Sequence, residues 1–326
     1  MKAIVLAGGF GTRLRPLTLV RPKHMLPIVD KPMLEHIVDY VSSFKEIDEV
    51  IVSVGYTEEF KMIEDYFKSR KFGVKIHLIK EPKRMGGVGA IKYVLDNYKI
   101  DGTFLLYLGD NITDFDISKL IKFHKKNSGA IATIGLIPVK EPWKFGVVEL
   151  EKENIKKFVE KPPIGSEPSN YASTGIYVFE EKIKDFLTYD FLDATGMIFP
   201  ILLEKGERLN GFLQKNAFWV DVGRPASYIE ATAYVLRKYG KQNWIDPSAT
   251  IGEGTKLEGP VVVYKNTMVG RHCVIRNSVI FEGCEIGNNC RIINSIIDEG
   301  CKIGDDMHIS TTLGKGSILM SENGNT

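Results

Sequence analysis

Apolar residues recur along this chain with two different periods, and the change falls near residue 240. Residues 3–7, 49–55, 74–79 and 103–109 are short apolar runs of strand length. Such runs, lacking alternation, predict buried strands of a parallel sheet. Between them, residues 32–44 and 58–69 place apolar side chains at helical spacing, with Pro32 early enough that its missing N–H costs nothing. Strand–helix–strand alternation continues to about residue 235. It implies right-handed crossovers and an α/β fold whose mostly parallel sheet is covered on both faces.

Beyond residue 240 an aliphatic residue stands at every sixth position: Ile245, Ile251, Leu257, Val263, Val269 and Ile275. One residue is then skipped before Ile280, Ile286 and Ile292, and another before Ile297, Ile303 and Ile309. Glycine follows several of these anchors, at Gly252, Gly270, Gly287 and Gly304. This hexapeptide period predicts a left-handed parallel β-helix of about four coils. The expected organisation is an α/β domain over residues 1–240 and a β-helix over 241–326, divided in the polar stretch 238–246.

All four cysteines fall in the repeats, each four residues after an anchor: Cys273, Cys284, Cys290 and Cys301. That position faces the coil interior, so the expectation is buried thiols filling a narrow core. Metal ligands or disulfides are the alternative, and the absence of any Cys-x-x-Cys spacing argues against them. Composition narrows the field further. With 43 Lys+Arg against 41 Asp+Glu, the net charge of +2 gives no field for nucleic acid or a membrane surface. No apolar stretch approaches spanning length. The apolar N-terminus runs directly into a glycine loop rather than a cleavage site, so a cytoplasmic protein is expected.

That loop carries the chemistry. Leu6-Ala7-Gly8-Gly9-Phe10-Gly11-Thr12-Arg13 follows the first strand, and Pro22-Lys23 comes ten residues later. Three glycines in four positions let bare N–H groups approach an anion, and Arg13 and Lys23 bring positive charge to it. A P-loop is excluded because no Gly-Lys follows, and a dinucleotide fingerprint because the third glycine is missing. A plain turn would leave the cluster of Arg13, Arg15 and Lys23 unexplained. Two acids stand in similarly apolar contexts: Asp110 after residues 103–109, and Asp221 in Phe218-Trp219-Val220-Asp221-Val222-Gly223.

The loop, continued by Pro22-Lys23-His24-Met25-Leu26-Pro27-Ile28 and Lys31-Pro32-Met33, resembles the signature of the sugar-1-phosphate nucleotidyltransferases. That resemblance implies a Rossmann-like domain that transfers a nucleotidyl group from a nucleoside triphosphate to a sugar-1-phosphate, giving a nucleotide-diphosphate sugar and pyrophosphate. It implies that Leu6, Ala7, Gly8, Gly9, Gly11, Thr12 and Arg13 wrap the nucleotide, and that Lys23 touches the reacting phosphate. Leu-Gly-Asp and Trp-x-Asp-x-Gly are the family's metal segments, which makes Asp110 and Asp221 the expected Mg²⁺ ligands. Arg13, Lys23, Asp110 and Asp221 are then the catalytic set. Gly146, Glu160-Lys161 and Gly175 lie in segments similar to the family's sugar pocket, with Lys161 on the sugar phosphate. There Ser173-Thr174 replaces the commoner Asn-Ala.

Glu81-Pro82 and Gly86 align with the base-reading loop, although Gly86-Gly87-Val88-Gly89 departs from the usual Gly-Thr-Ala-Gly. The loop leaves UTP, dTTP and GTP open. The resemblance also brings two rival functions: a non-catalytic regulatory subunit, and a bifunctional enzyme whose β-helix is an acetyltransferase using His272 or His308. Retention of both cations and both acids speaks against the first. The few coils speak against the second. Assembly into a homo-oligomer, paired through the β-helix, is expected.

Overall fold

The computed structural model describes residues 1–56, 59–189 and 195–320. Glu58, expected to open the second helix, and residues 321–326 of the expected β-helix lie outside them. The chain divides into two compact units, residues 1–9 with 34–219, and residues 10–33 with 220–326.

The first unit is built on a nine-stranded sheet. Its elements in chain order are β1 (Lys2–Ala7), α1 (Met33–Ser42), β2 (Glu49–Val54), α2 (Glu59–Lys68), β3 (Lys75–Lys80), α3 (Gly86–Asn97) and β4 (Phe104–Leu108). There follow α4 (Ile117–Lys126), β5 (Ala132–Pro138), β6 (Gly146–Glu151), β7 (Asn154–Glu160), β8 (Tyr171–Phe179), α5 (Ile198–Glu204) and β9 (Leu209–Leu213). Strand order is β3-β2-β1-β4-β8-β5-β9-β7-β6. The first four strands of that order are parallel, as their unbroken apolar runs require. Ile4, Ile51, Leu106 and Tyr177 are buried in one continuous core. β3 is less covered than its neighbours, because it is the edge strand.

Alternation with helices, expected to residue 235, is interrupted after β5 and resumes with α5. β6, β7 and β8 follow one another with no intervening α-helix and pair antiparallel. The physical cause is local: β6 and β7 are joined through Lys152 and Glu153, with Lys152 at φ +54°, a left-handed residue suited to a tight hairpin. This antiparallel insert carries the segments around Gly146, Glu160 and Gly175.

The second unit contains residues 10–33, helix α6 (Pro225–Lys238) and a parallel β-helix. Strands pair coil upon coil in three columns. Ile245, Val263, Ile280, Ile297 and Leu313 form the first. Ile251, Val269, Ile286, Ile303 and Leu319 form the second, and Leu257, Ile275, Ile292 and Ile309 the third. The anchors are those of the six-residue period, extended by Leu313 and Leu319. Ile245 departs from the pattern: it is 40% exposed, because its strand is the terminal one of its column. The four cysteines are free and buried, and each thiol donates at 3.1 Å to a carbonyl, those of Gly287, Asp298, Gly304 and Gly314.

The glycines after the second-column anchors have a packing reason. A Cβ on Gly270 would lie 2.5 Å from the carbonyl carbon and oxygen of Gly287, and one on Gly287 would lie 2.6 Å from that of Gly304. Backbone cannot yield as a flexible side chain can. Gly270→Ala is therefore expected to lower stability by about 1–3 kcal/mol, as overpacking does. Equilibrium denaturation reads this directly; an unchanged midpoint would mean that the coil spacing relaxes.

Candidate active site

In the α/β unit, two candidate segments, Gly8-Gly9 and Gly109-Asp110, sit beyond the carboxyl ends of the parallel strands β1 and β4, where open α/β sheets bind ligands. β1 leads into Gly8 and Gly9. Gly109 donates its N–H to the Leu6 carbonyl at 2.8 Å, drawing the end of β4 against β1. A Cβ on Gly8 would lie 2.8 Å from Glu81 Oε1. Only a glycine lets the carboxylate approach the loop so closely. Glu81 is 5% exposed and accepts from the Ser53 hydroxyl at 2.9 Å. Burial pushes its carboxyl above the usual carboxylate range, and the Ser53 hydrogen bond opposes that shift. Ser53 was not marked by the sequence; only its place at the end of β2 brings it to Glu81. Gly86, at φ +68°, opens α3.

The antiparallel insert forms a second niche. Glu160 Oε2 lies 2.8 Å from where a Cβ on either Gly146 or Gly196 would stand, so two glycines clear the space around one carboxylate. Lys161 follows at φ +47°, an unusual conformation for lysine, with Nζ 3.5 Å from Glu160 Oε1. Gly175, at φ +75°, leaves room for the Asn111 amide, 2.5 Å from its would-be Cβ. The Thr174 carbonyl accepts from both Asn111 Nδ2 at 2.9 Å and Trp219 Nε1 at 2.8 Å. Thus Trp219 of the Trp-x-Asp-x-Gly segment is tied to the residue that departs from Asn-Ala. Burial raises the Tyr177 hydroxyl pKa, and the charges of Glu160 and Asp110 add to the rise. Glu160 and Asp110 are therefore both within electrostatic reach of the Tyr177 hydroxyl.

In the second unit, Gly11 is left-handed at φ +61°, and a Cβ there would stand 2.8 Å from Lys23 Cβ. Thr18 Oγ1 donates to the Gly11 carbonyl at 2.8 Å, closing the loop on itself. Lys23 opens a short 3-10 turn, Lys23–Met25, and is 5% exposed, whereas Thr12 and Arg13 are exposed. Asp221 ends the strand Trp219–Asp221. At Gly223 a Cβ would meet Arg13 Nη2 at 3.0 Å and Asp221 Oδ1 at 3.1 Å, so a cation and an acid 208 positions apart in the chain share one point. Gly223, the glycine of the Trp-x-Asp-x-Gly segment, leaves that point open. Asp110 and Asp221 belong to different units. Among the described residues no group of three or more His, Cys, Asp or Glu is gathered for a metal ion.

Glycines at a parallel strand end, cations on the following segment and acids after apolar strands define a class of enzyme that handles nucleotide phosphates. Comparison with known proteins agrees. A family model described as nucleotidyl transferase matches residues 2–238, and one described as the GMPPB C-terminal domain matches residues 240–322. The chain belongs to the nucleotidyl transferase family. A mannose-1-phosphate guanylyltransferase catalytic subunit beta from Xenopus tropicalis is 32% identical over 84% of this chain and 74% of that protein. A UTP–glucose-1-phosphate uridylyltransferase from Synechocystis is 32% identical over 86% of this chain and 83% of that protein. A structure from Bacillus anthracis assigned as a glucose-1-phosphate thymidylyltransferase superposes with TM-score 0.64 at 28% identity, covering 72% of this chain and 94% of that one.

Proposed function

We propose that this chain transfers guanylyl from GTP to a sugar-1-phosphate, with mannose-1-phosphate the preferred acceptor and pyrophosphate the leaving group. The observation that carries the choice of base is Glu81, a buried carboxylate held against Gly8 of the phosphate loop. An ionised carboxylate only accepts hydrogen bonds. Guanine offers two adjacent donors, its ring N1–H and its exocyclic amine, which match the two carboxylate oxygens. Uracil and thymine present one N–H between two carbonyls, so a carboxylate there would face at least one acceptor. Relatives named for mannose-1-phosphate guanylyl transfer support the same pairing.

In this reading Arg13 grips the departing pyrophosphate, Lys23 the α-phosphate and Lys161 the sugar phosphate. Glu160 accepts from sugar hydroxyls in the niche cleared by Gly146 and Gly196. The attacking sugar phosphate is already ionised at neutral pH, so no residue needs to remove a proton. Catalysis is then positioning and charge stabilisation. Asp110 and Asp221 are hard oxygen donors, suited to a Mg²⁺ that keeps water and substrate oxygens as its other ligands. Such an ion, when bound, neutralises charge on the phosphates. The setting is cytoplasmic, with copies of the chain pairing through the β-helix.

Pyrophosphate release measured for four nucleoside triphosphates against several sugar-1-phosphates tests the reading. GTP with mannose-1-phosphate is expected to give the highest kcat/KM; a profile led by UTP or dTTP overturns the base assignment. No release with any pair favours a regulatory subunit, and acetyl-CoA turnover would mark a bifunctional enzyme. Glu81→Gln replaces two acceptors with one donor and one acceptor, and should move the GTP:UTP preference toward UTP by about 10- to 100-fold. Because guanine needs the ionised form, KM for GTP should rise as pH falls through the elevated Glu81 pKa, and this dependence should vanish in Glu81→Gln.

A further inference from the structure

The residues that follow the anchors differ from column to column of the β-helix. After the second-column anchors stand four glycines, Gly252, Gly270, Gly287 and Gly304. After the first-column anchors stand Asp246, Tyr264, Phe281, Asp298 and Gly314. Of these, Phe281, Asp298 and Gly314 lie against residues 10–33 of the same compact unit. The Arg21 guanidinium stacks 5.0 Å from the Phe281 ring centroid. Its Nη2 donates to Asp298 Oδ1 at 2.9 Å and to Glu299 Oε2 at 3.3 Å. A Cβ on Gly314 would stand 2.9 Å from Pro16 Cβ, so the last residue of the column is small where the chain presses closest. Tyr228 of α6 packs edge-on against Phe281 and donates its hydroxyl to the Pro27 carbonyl.

Asp298 is an unusual residue for that place. It is 0% exposed, its Oδ1 also accepts from the Glu299 N–H at 2.8 Å, and its Oδ2 has no hydrogen-bond partner among the described residues. A solenoid gains nothing in coil stacking from a buried, half-satisfied carboxylate, since burial without full pairing is costly. Among the described residues its side-chain partner is Arg21, two residues before Lys23 and across 277 positions of sequence. Pro16 and Arg21 thus tether the segment at two points, between Arg13 and Lys23.

We propose that Asp298 and Arg21 are positioning residues for nucleotidyl transfer, the β-helix serving as the rigid support that holds the segment bearing Arg13 and Lys23. This rests on the assignment of those two cations to the nucleotide phosphates. Misplacement of a charged group by about 1 Å is enough to cost up to about 10²-fold in rate. The β-helix then contributes to catalysis without supplying any group that touches substrate.

The test uses the full chain with the best nucleotide and sugar phosphate from the substrate matrix. Asp298→Asn and Arg21→Met should each lower kcat/KM for the nucleotide about tenfold or more, with KM for the sugar-1-phosphate changed less than about twofold. The double variant Arg21→Met/Asp298→Leu removes both charges together, and should recover thermal stability that the single variants lose. It should not recover kcat/KM. Recovery of both, or nucleotide kcat/KM within about twofold of wild type in folded single variants, overturns the proposal. Lys23→Ala run alongside separates the causes: if it loses activity while the Arg21 and Asp298 variants keep theirs, only the support role fails. If Lys23→Ala is fully active, the cation assignment fails and the proposal with it.

Discussion

Lys23→Ala is expected to lower turnover about 10²–10³-fold while the chain stays folded, the scale found when one preorganised charged donor is removed from a reacting centre. The lysine is 5% exposed and its stem is fixed: Gly11 stands against its Cβ, and the Lys23–Met25 turn holds its backbone. A cation so confined has surrendered its rotational freedom before substrate arrives, so its charge acts without reorganisation during the reaction. Lys23→Arg should rescue little. A planar guanidinium is longer and presents its donors in a fixed fork rather than as a compact ammonium. Single-turnover rates, with circular dichroism to confirm folding, measure the loss. Turnover close to wild type would remove Lys23 from the reacting centre.

The acid beside Arg13 should matter as much. Asp221→Ala is expected to cost about 10²–10³-fold in kcat, and Asp221→Asn should raise the Mg²⁺ concentration needed for half-maximal rate. Two effects combine there. The carboxylate is one of two proposed cation ligands, and its Oδ1 and Arg13 Nη2 lie within 3.1 Å of the point that a Gly223 Cβ would occupy. Removing it deprives Arg13 of an opposite charge that helps to orient it. Titrating Mg²⁺ at saturating substrates separates the roles: loss of orientation alone lowers the plateau, and loss of a ligand also moves the midpoint. An unchanged plateau and midpoint would exclude Asp221 from both.

Elements governed by local period were legible before any coordinates. β1, β2 and β4 lie within one residue of the apolar runs that announced them, because a strand buried on both faces must be apolar throughout, and the less covered edge strand β3 does the same. The three anchor columns follow the six-residue period for the same kind of reason, since each coil repeats one burial demand. β6 to β8 were less legible. Their hairpin depends on the conformation of Lys152, and lysine carries no signature of a left-handed turn. Within the candidate site, Glu81, Glu160 and Gly223 stood in recognisable segments, whereas Ser53 and Gly196 were invisible. They contribute a hydroxyl or an absent side chain at a distance, and nothing near them in sequence marks the residue they serve.

Period, glycine placement and the run from Leu6 to Met33 sufficed to establish an α/β nucleotidyl transferase followed by a β-helix, because each expresses a local requirement on burial or backbone geometry. The grouping of residues 10–33 with the β-helix, the pairing of Arg21 with Asp298 and the approach of Glu81 to Gly8 required the folded chain. Those contacts join residues tens to hundreds of positions apart, and their energy depends on burial and distance in space. No local pattern encodes that dependence.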